Sequence, residues 1–205
     1  MQTKRDIYGL YIRLWQLFLA RDCLCPCDSV IVVPMPSKKP ALRICGVREL
    51  PEHLNWATHV VSIYQPIGRY ELPLFPHPRA NVLELDFDDT TIENPPDQGY
   101  LSALVPPRRE HIQALINFVR KMPTNAHLLV HCEMGISRST AIAFVALVAM
   151  QPRVKPSTHL EYIYRIRKGA WPNELVVKLG DGLLKENGSL VKVLNSSRKR
   201  SIIVR

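Results

Sequence analysis

Between Ile7 and Ala20 apolar residues cover almost the whole circumference of a helical wheel, leaving Gly9, Arg13, Gln16 and Ala20 in one narrow stripe. The pattern predicts an amphipathic helix with a wide apolar face. Such a face suits docking on the chain's own domain or on a second copy; the alternative for residues 7–20 is weak contact with a membrane or partner. Cys23, Cys25 and Cys27 follow, but three sulfurs with no fourth ligand at a usual zinc spacing read as a linker.

From residue 29 the pattern changes to short runs of strand character. These are Ser29 to Pro34 (SVIVVP), Thr58 to Ile63 (THVVSI), the alternating Asn81 to Phe87 (NVLELDF) and His127 to Val130 (HLLV). Arg108 to Met122 places Ile112, Leu115, Ile116 and Val119 at helical spacing, with Pro107 near its start and Pro123 after its end. Thr140 to Met150 is apolar all round, as a buried helix is. Thr158 to Lys168 and Glu174 to Lys185 are helical and flank the breaker Gly169-Ala170-Trp171-Pro172-Asn173. Early strands and late helices predict an α/β fold, with a central, mainly parallel sheet of about four to five strands flanked by helices. The organisation expected is a helix and Cys-rich linker over 1–29, one domain over 30–187, and a basic tail over 188–205 with no clear element.

Composition narrows the class. With 205 residues, 46% hydrophobic and 22% charged, the chain suits one globular domain and excludes a collagen or a wholly disordered protein. No apolar run approaches the roughly 18 residues of a membrane span. The net charge is +9, but Lys192, Arg198, Lys199, Arg200 and Arg205 supply much of it, so the basicity describes a tail rather than a nucleic-acid groove. The five cysteines are odd in number and four precede residue 46, which excludes a symmetric disulfide framework and fits a reducing, cytoplasmic setting. Lys4 and Arg5 precede the first apolar run, but Asp6, Arg13, Arg21 and Asp22 count against a secretory signal.

One segment carries chemistry: His131-Cys132-Glu133-Met134-Gly135-Ile136-Ser137-Arg138-Ser139, between an apolar strand and an apolar helix. A cysteine in such a loop faces backbone N–H groups and the positive end of the helix dipole, a setting that favours thiolate. Arg138, at the first helical turn, can bind two oxygens of a tetrahedral oxyanion with its planar fork. Gly135 lets the loop curl around that anion without a Cβ in the way.

The pattern H-C-x5-R-S resembles the signature loop of the cysteine-dependent protein tyrosine phosphatases, and the region from Val30 to Lys185 is similar to a compact bacterial family of predicted tyrosine phosphatases related to the dual-specificity enzymes. The resemblance implies a tyrosine phosphatase-like fold and a hydrolase of phosphotyrosine, with phosphoserine and phosphothreonine as further substrates, acting on phosphorylated proteins without metal or cofactor. Cys132 would attack phosphorus and form a cysteinyl-phosphate intermediate. Arg138 would hold the equatorial oxygens, and Ser139 would donate its hydroxyl to the departing sulfur, unless it serves as a helix N-cap. His131 would bond the backbone behind the loop. The N–H groups of Glu133, Met134, Gly135, Ile136, Ser137 and Arg138 would form the phosphate nest.

The family takes its general acid from an aspartate upstream. Asp88 and Asp89 both follow the third predicted strand; the family's F-x-D pattern favours Asp89, with Asp88 as the alternative and turn formation as the plain role for both. The gap from Asp89 to Cys132 is longer than in the small dual-specificity enzymes, and Glu93 to Pro107 reads as an insertion that can form part of a substrate rim. Trp171-Pro172-Asn173 is expected near the site, with Asn173 as N-cap of the following helix. The variable loop positions hold Glu133 and no base, which disfavours a highly anionic inositide. An RNA 5′-triphosphatase or another phosphomonoesterase of the superfamily is one alternative, and a catalytically inactive phosphopeptide-binding module is another. Nucleic acid is not the first-choice partner, because the triphosphatase relatives generally lack the aspartate acid. Cys45 is either a plain buried thiol or a resolving partner for an oxidised Cys132.

Overall fold

The computed structural model describes residues 41–66, 75–78, 81–95 and 103–203, with side chains described up to residue 199. The described residues all lie in one compact unit, Lys38–Arg205. The expected helix at 7–20, the cysteine run and the expected strand at 29–34 lie outside the described residues.

The strands are β1 (Ala41–Gly46), β2 (His59–Tyr64), β3 (Val82–Asp86) and β4 (His127–Cys132). They form one sheet in the order β1-β4-β2-β3, with every neighbouring pair parallel. The fold is therefore α/β with a parallel central sheet, as the element order predicts. Strand β4 sits between β1 and β2 and is buried from Leu128 to Cys132, which explains its unbroken apolar run. The sequence patterning misses β1, because Arg43 stands in the middle of a six-residue run; its side chain is exposed while Leu42 and Ile44 beside it are buried.

The helices are α1 (Pro51–Leu54), α2 (Arg109–Lys121), α3 (Arg138–Met150), α4 (Pro156–Ile166), α5 (Glu174–Leu184) and α6 (Ser189–Ile203). One sheet face, with Leu42, Ile44, Val61, Ile63, Leu128 and Val130, shares its core with residues of α2 to α6. The opposite face buries Cys45, Val60 and Leu129 against Leu50, Leu54 and Trp56. Helix α2 buries Ile112, Leu115, Ile116 and Val119, the four positions that its periodicity selects. Helix α3 is buried from Arg138 to Ala149. It meets α5 at Gly180, where an added Cβ would lie 2.5 Å from a methyl of Val145. Among the described residues no helix is long and apolar enough to cross a membrane.

The C-terminal region differs from the expectation of a tail without structure. Ser189–Ile203 is a helix, and Leu190 and Leu194 are fully buried in the main core. Contacts from Asp181 and Arg198 hold it. The carboxylate of Asp181 accepts from the N–H groups of Gly188 at 2.6 Å and Leu190 at 2.7 Å, satisfying donors that a helix start leaves free. Arg198 donates to Glu174 at 2.9 Å and to the Pro172 carbonyl at 2.8 Å. Part of the basic charge therefore belongs to a packed helix.

Candidate active site

Strand β4 ends at Cys132, and six residues later the chain enters α3 at Arg138. Cys132 is buried, and its Sγ accepts from the Gly135 N–H at 3.2 Å and lies 3.3 Å from Ser139 Oγ. Gly135 has φ of 72°, and a Cβ there would meet the Cys45 carbonyl carbon at 2.5 Å and the Gly46 nitrogen at 2.6 Å, so only glycine fits. The helix N-cap is Ser137, not Ser139. Ser139 lies inside the first turn, fully buried with its hydroxyl at the sulfur.

Every carbonyl from Glu133 to Ser137 accepts a hydrogen bond from a residue outside the loop. Val47 N–H donates to Glu133 O at 3.0 Å, Trp171 N–H to Ile136 O at 2.9 Å, and Ala141 N–H to Ser137 O at 3.1 Å. Arg167 supplies the donors for Met134 O and Gly135 O, each at 3.0 Å.

Arg138 is almost fully buried. One terminal nitrogen donates to Phe87 O at 3.0 Å, the other lies 3.8 Å from the Glu133 carboxylate, and Nε is buried without a hydrogen-bond partner. A guanidinium fixed at one end with donors in reserve suits binding of an oxyanion.

The two aspartates have different places. Asp88 is buried, its carboxylate accepting from Val105 N–H at 2.7 Å while its own N–H donates to Val105 O at 2.7 Å. It ties the strand end to the C-terminal part of the insertion. Asp89 is exposed, and its Oδ1 accepts from Ser137 Oγ at 2.7 Å and from Asn173 Nδ2 at 2.8 Å. Both bonds load one carboxylate oxygen. Asn173 is buried and does more than the expected capping: its Oδ1 accepts from Val176 N–H at 3.1 Å, while Nδ2 also donates to Thr90 O at 3.1 Å.

His131 lies in the sheet with its ring 5.9 Å from that of Phe75. Neither ring nitrogen has a partner in full hydrogen-bond geometry, and the backbone group that acts on the ring is that of Cys132. Burial pushes its pKa down to about 4, opposed only weakly by the Cys132 backbone. Cys45 is fully buried, and burial followed by the Glu49 carboxylate pushes it up to about 12. That matches a plain buried thiol, since attack on an oxidised Cys132 needs the thiolate. Two apolar side chains are exposed at the loop, Met134 within it and Trp171, whose N–H bonds to it, with the Arg198 guanidinium 4.8 Å from the Trp171 ring centroid.

The position of Arg167 against the loop was not expected from sequence. It follows a helix 32 residues after Gly135, and no local pattern marks it. The only hint is its place just before the Gly169 to Asn173 breaker.

No protein-family model matches the chain, and no curated protein sequence matches it. Solved structures do. Human DUSP28 superposes with a TM-score of 0.50 at 17% identity, covering 80% of this chain and 98% of that one. The PTP-2 phosphatase of Cydia pomonella gives 0.49 at 20% identity, covering 69% and 84%. The human tyrosine phosphatase-like serine/threonine/tyrosine-interacting protein gives 0.49 at 19%, covering 70% and 90%. With its parallel sheet and its cysteine loop between β4 and α3, the chain shares the fold of human DUSP28.

Proposed function

We propose that the protein is a phosphatase that removes phosphate from phosphotyrosine in proteins, with phosphoserine and phosphothreonine as further substrates, through a cysteinyl-phosphate intermediate. The observation that carries this reading is the bond from Ser137 of the cysteine loop to Asp89 Oδ1, which puts an exposed carboxyl at the edge of the loop holding Cys132. In the first step the Cys132 thiolate attacks phosphorus, and the substrate oxygen leaves with the proton of Asp89. Because Ser137 and Asn173 both donate to Oδ1, Oδ2 is the oxygen that carries that proton. In the second step the Asp89 carboxylate takes a proton from water as the water attacks phosphorus. The P–S bond breaks, and the sulfur leaves as thiolate toward the Ser139 hydroxyl and the Gly135 N–H. Arg138 and the loop N–H groups hold the equatorial oxygens in both steps. The exposed apolar side chains of Met134 and Trp171, with no base between Glu133 and Ser137, suit an aromatic side chain on a peptide better than a polyanion.

The test is hydrolysis of a small aryl phosphate in EDTA with vanadate as inhibitor. Activity is expected to survive chelation and to vanish in Cys132→Ser. Asp89→Asn should lower kcat by roughly 10² to 10⁴, whereas Asp88→Asn, which keeps an acceptor for Val105, should stay close to wild type. An inert wild-type protein would favour the phosphopeptide-binding module instead.

A further inference from the structure

We propose that Arg167 is a positioning residue that turns two peptide units of the cysteine loop so that their N–H groups face the oxyanion; its effect on turnover rests on the phosphatase reading above. Arg167 terminates α4 by leaving the helical conformation (φ −132°, ψ 98°). Its guanidinium then serves three acceptors with three different nitrogens. Nε donates to Gly135 O at 3.0 Å, one terminal nitrogen to Met134 O at 3.0 Å, and the other to Glu49 Oε1 at 2.9 Å. Glu49 is fixed in turn, since its Oε2 accepts from the Gly46 N–H at 2.7 Å. Arg167 holds the Glu49 carboxyl below the usual carboxylate range, so the pair stays charged at neutral pH.

In a trans peptide the C=O and the following N–H point in opposite directions. Holding Met134 O outward therefore turns the Gly135 N–H inward, and that N–H does reach Cys132 Sγ at 3.2 Å. Holding Gly135 O outward turns the Ile136 N–H to the same side. Val47 and Trp171 treat Glu133 and Ile136 in the same way from the main chain. Arg167 covers the two carbonyls between them, which no backbone donor reaches among the described residues. A planar fork can span three separated acceptors, whereas an ammonium is one point charge.

The inference is tested by tungstate affinity, measured by calorimetry, with aryl phosphate kinetics on the same samples. Arg167→Met is expected to weaken tungstate by about tenfold or more and to lower kcat roughly 10- to 100-fold with a smaller change in KM. Arg167→Lys should fall between it and the wild type. A folded Arg167→Met with wild-type tungstate affinity and kcat overturns the proposal. If that variant does not fold, Glu49→Gln decides: it keeps an acceptor for Gly46 but loosens the guanidinium, and unchanged tungstate affinity and kcat again overturn it. A wild type that binds tungstate without hydrolysing aryl phosphate removes the phosphatase reading and leaves Arg167 to be judged on affinity. A wild type that binds no tungstate removes both.

Discussion

His131 and its neighbour Cys132 differ by one position along β4, and parity sends them to opposite faces of the sheet. Cys132 joins the helix-covered face, whereas His131 occupies the face of Cys45 and Leu129. The burial of His131 has a consequence for stability. In the unfolded chain a histidine binds a proton as pH falls through about 6.5, while the folded protein resists protonation until about 4. Between those values the unfolded state holds more protons, so stability is full above the window and falls as pH drops through it. The loss from this group is at most about 3 kcal/mol and does not grow below the window. His59 and His111, also depressed mainly by burial, act in the same sense. Urea midpoints measured from about pH 7 to about pH 4.5 should therefore decline, and less steeply in His131→Gln. At this scale Cys132, Arg138 and Gly135 were legible, because spacing alone puts them in one loop. The difference between Asp88 and Asp89 was only partly legible, since it depends on what Val105, Ser137 and Asn173 bring to them.

Elements with their own periodicity were readable as they stand. Helix α2 follows its hydrophobic spacing, while α3 and β4 follow unbroken apolar runs, because the sequence itself marks what each of them buries. Strand β1 and helix α6 were not. In β1 an exposed arginine interrupts a short run. In α6 two leucines carry the docking, while the cap comes from Asp181 on another helix. Leu194 tests how far α6 belongs to the domain. Leu194→Ala should cost about 2–5 kcal/mol in denaturant unfolding, as expected for a leucine removed from a packed core. A cost near zero would return residues 188–205 to the status of a tail.

Across the whole molecule the candidate site is assembled from segments far apart in the chain: Asp89 after β3, the loop after β4, and Asn173 at the start of α5. Asn173 couples two of these functions, since one end of its amide caps α5 and the other holds Asp89 and Thr90. Asn173→Asp keeps the capping oxygen but sets a carboxylate against that of Asp89. The expected outcome is a kcat lower by about tenfold or more and a stability lower by about 1–3 kcal/mol, read from aryl phosphate kinetics and thermal unfolding of the same preparation. Wild-type kcat would separate Asn173 from the acid.

By itself the sequence determined the α/β class, the strand-loop-helix around Cys132, and the identity of the sulfur, guanidinium and glycine in that loop. These are local matters, set by periodicities and by seven consecutive residues, Cys132 to Arg138, that must share one loop. The tertiary structure alone decided which aspartate meets the loop, that Asn173 holds it, that Arg167 and Glu49 brace the loop from behind, and that α6 is part of the core. Most of those are contacts between residues distant in sequence, formed when the sheet and helices pack, and a local pattern carries no record of a distant partner.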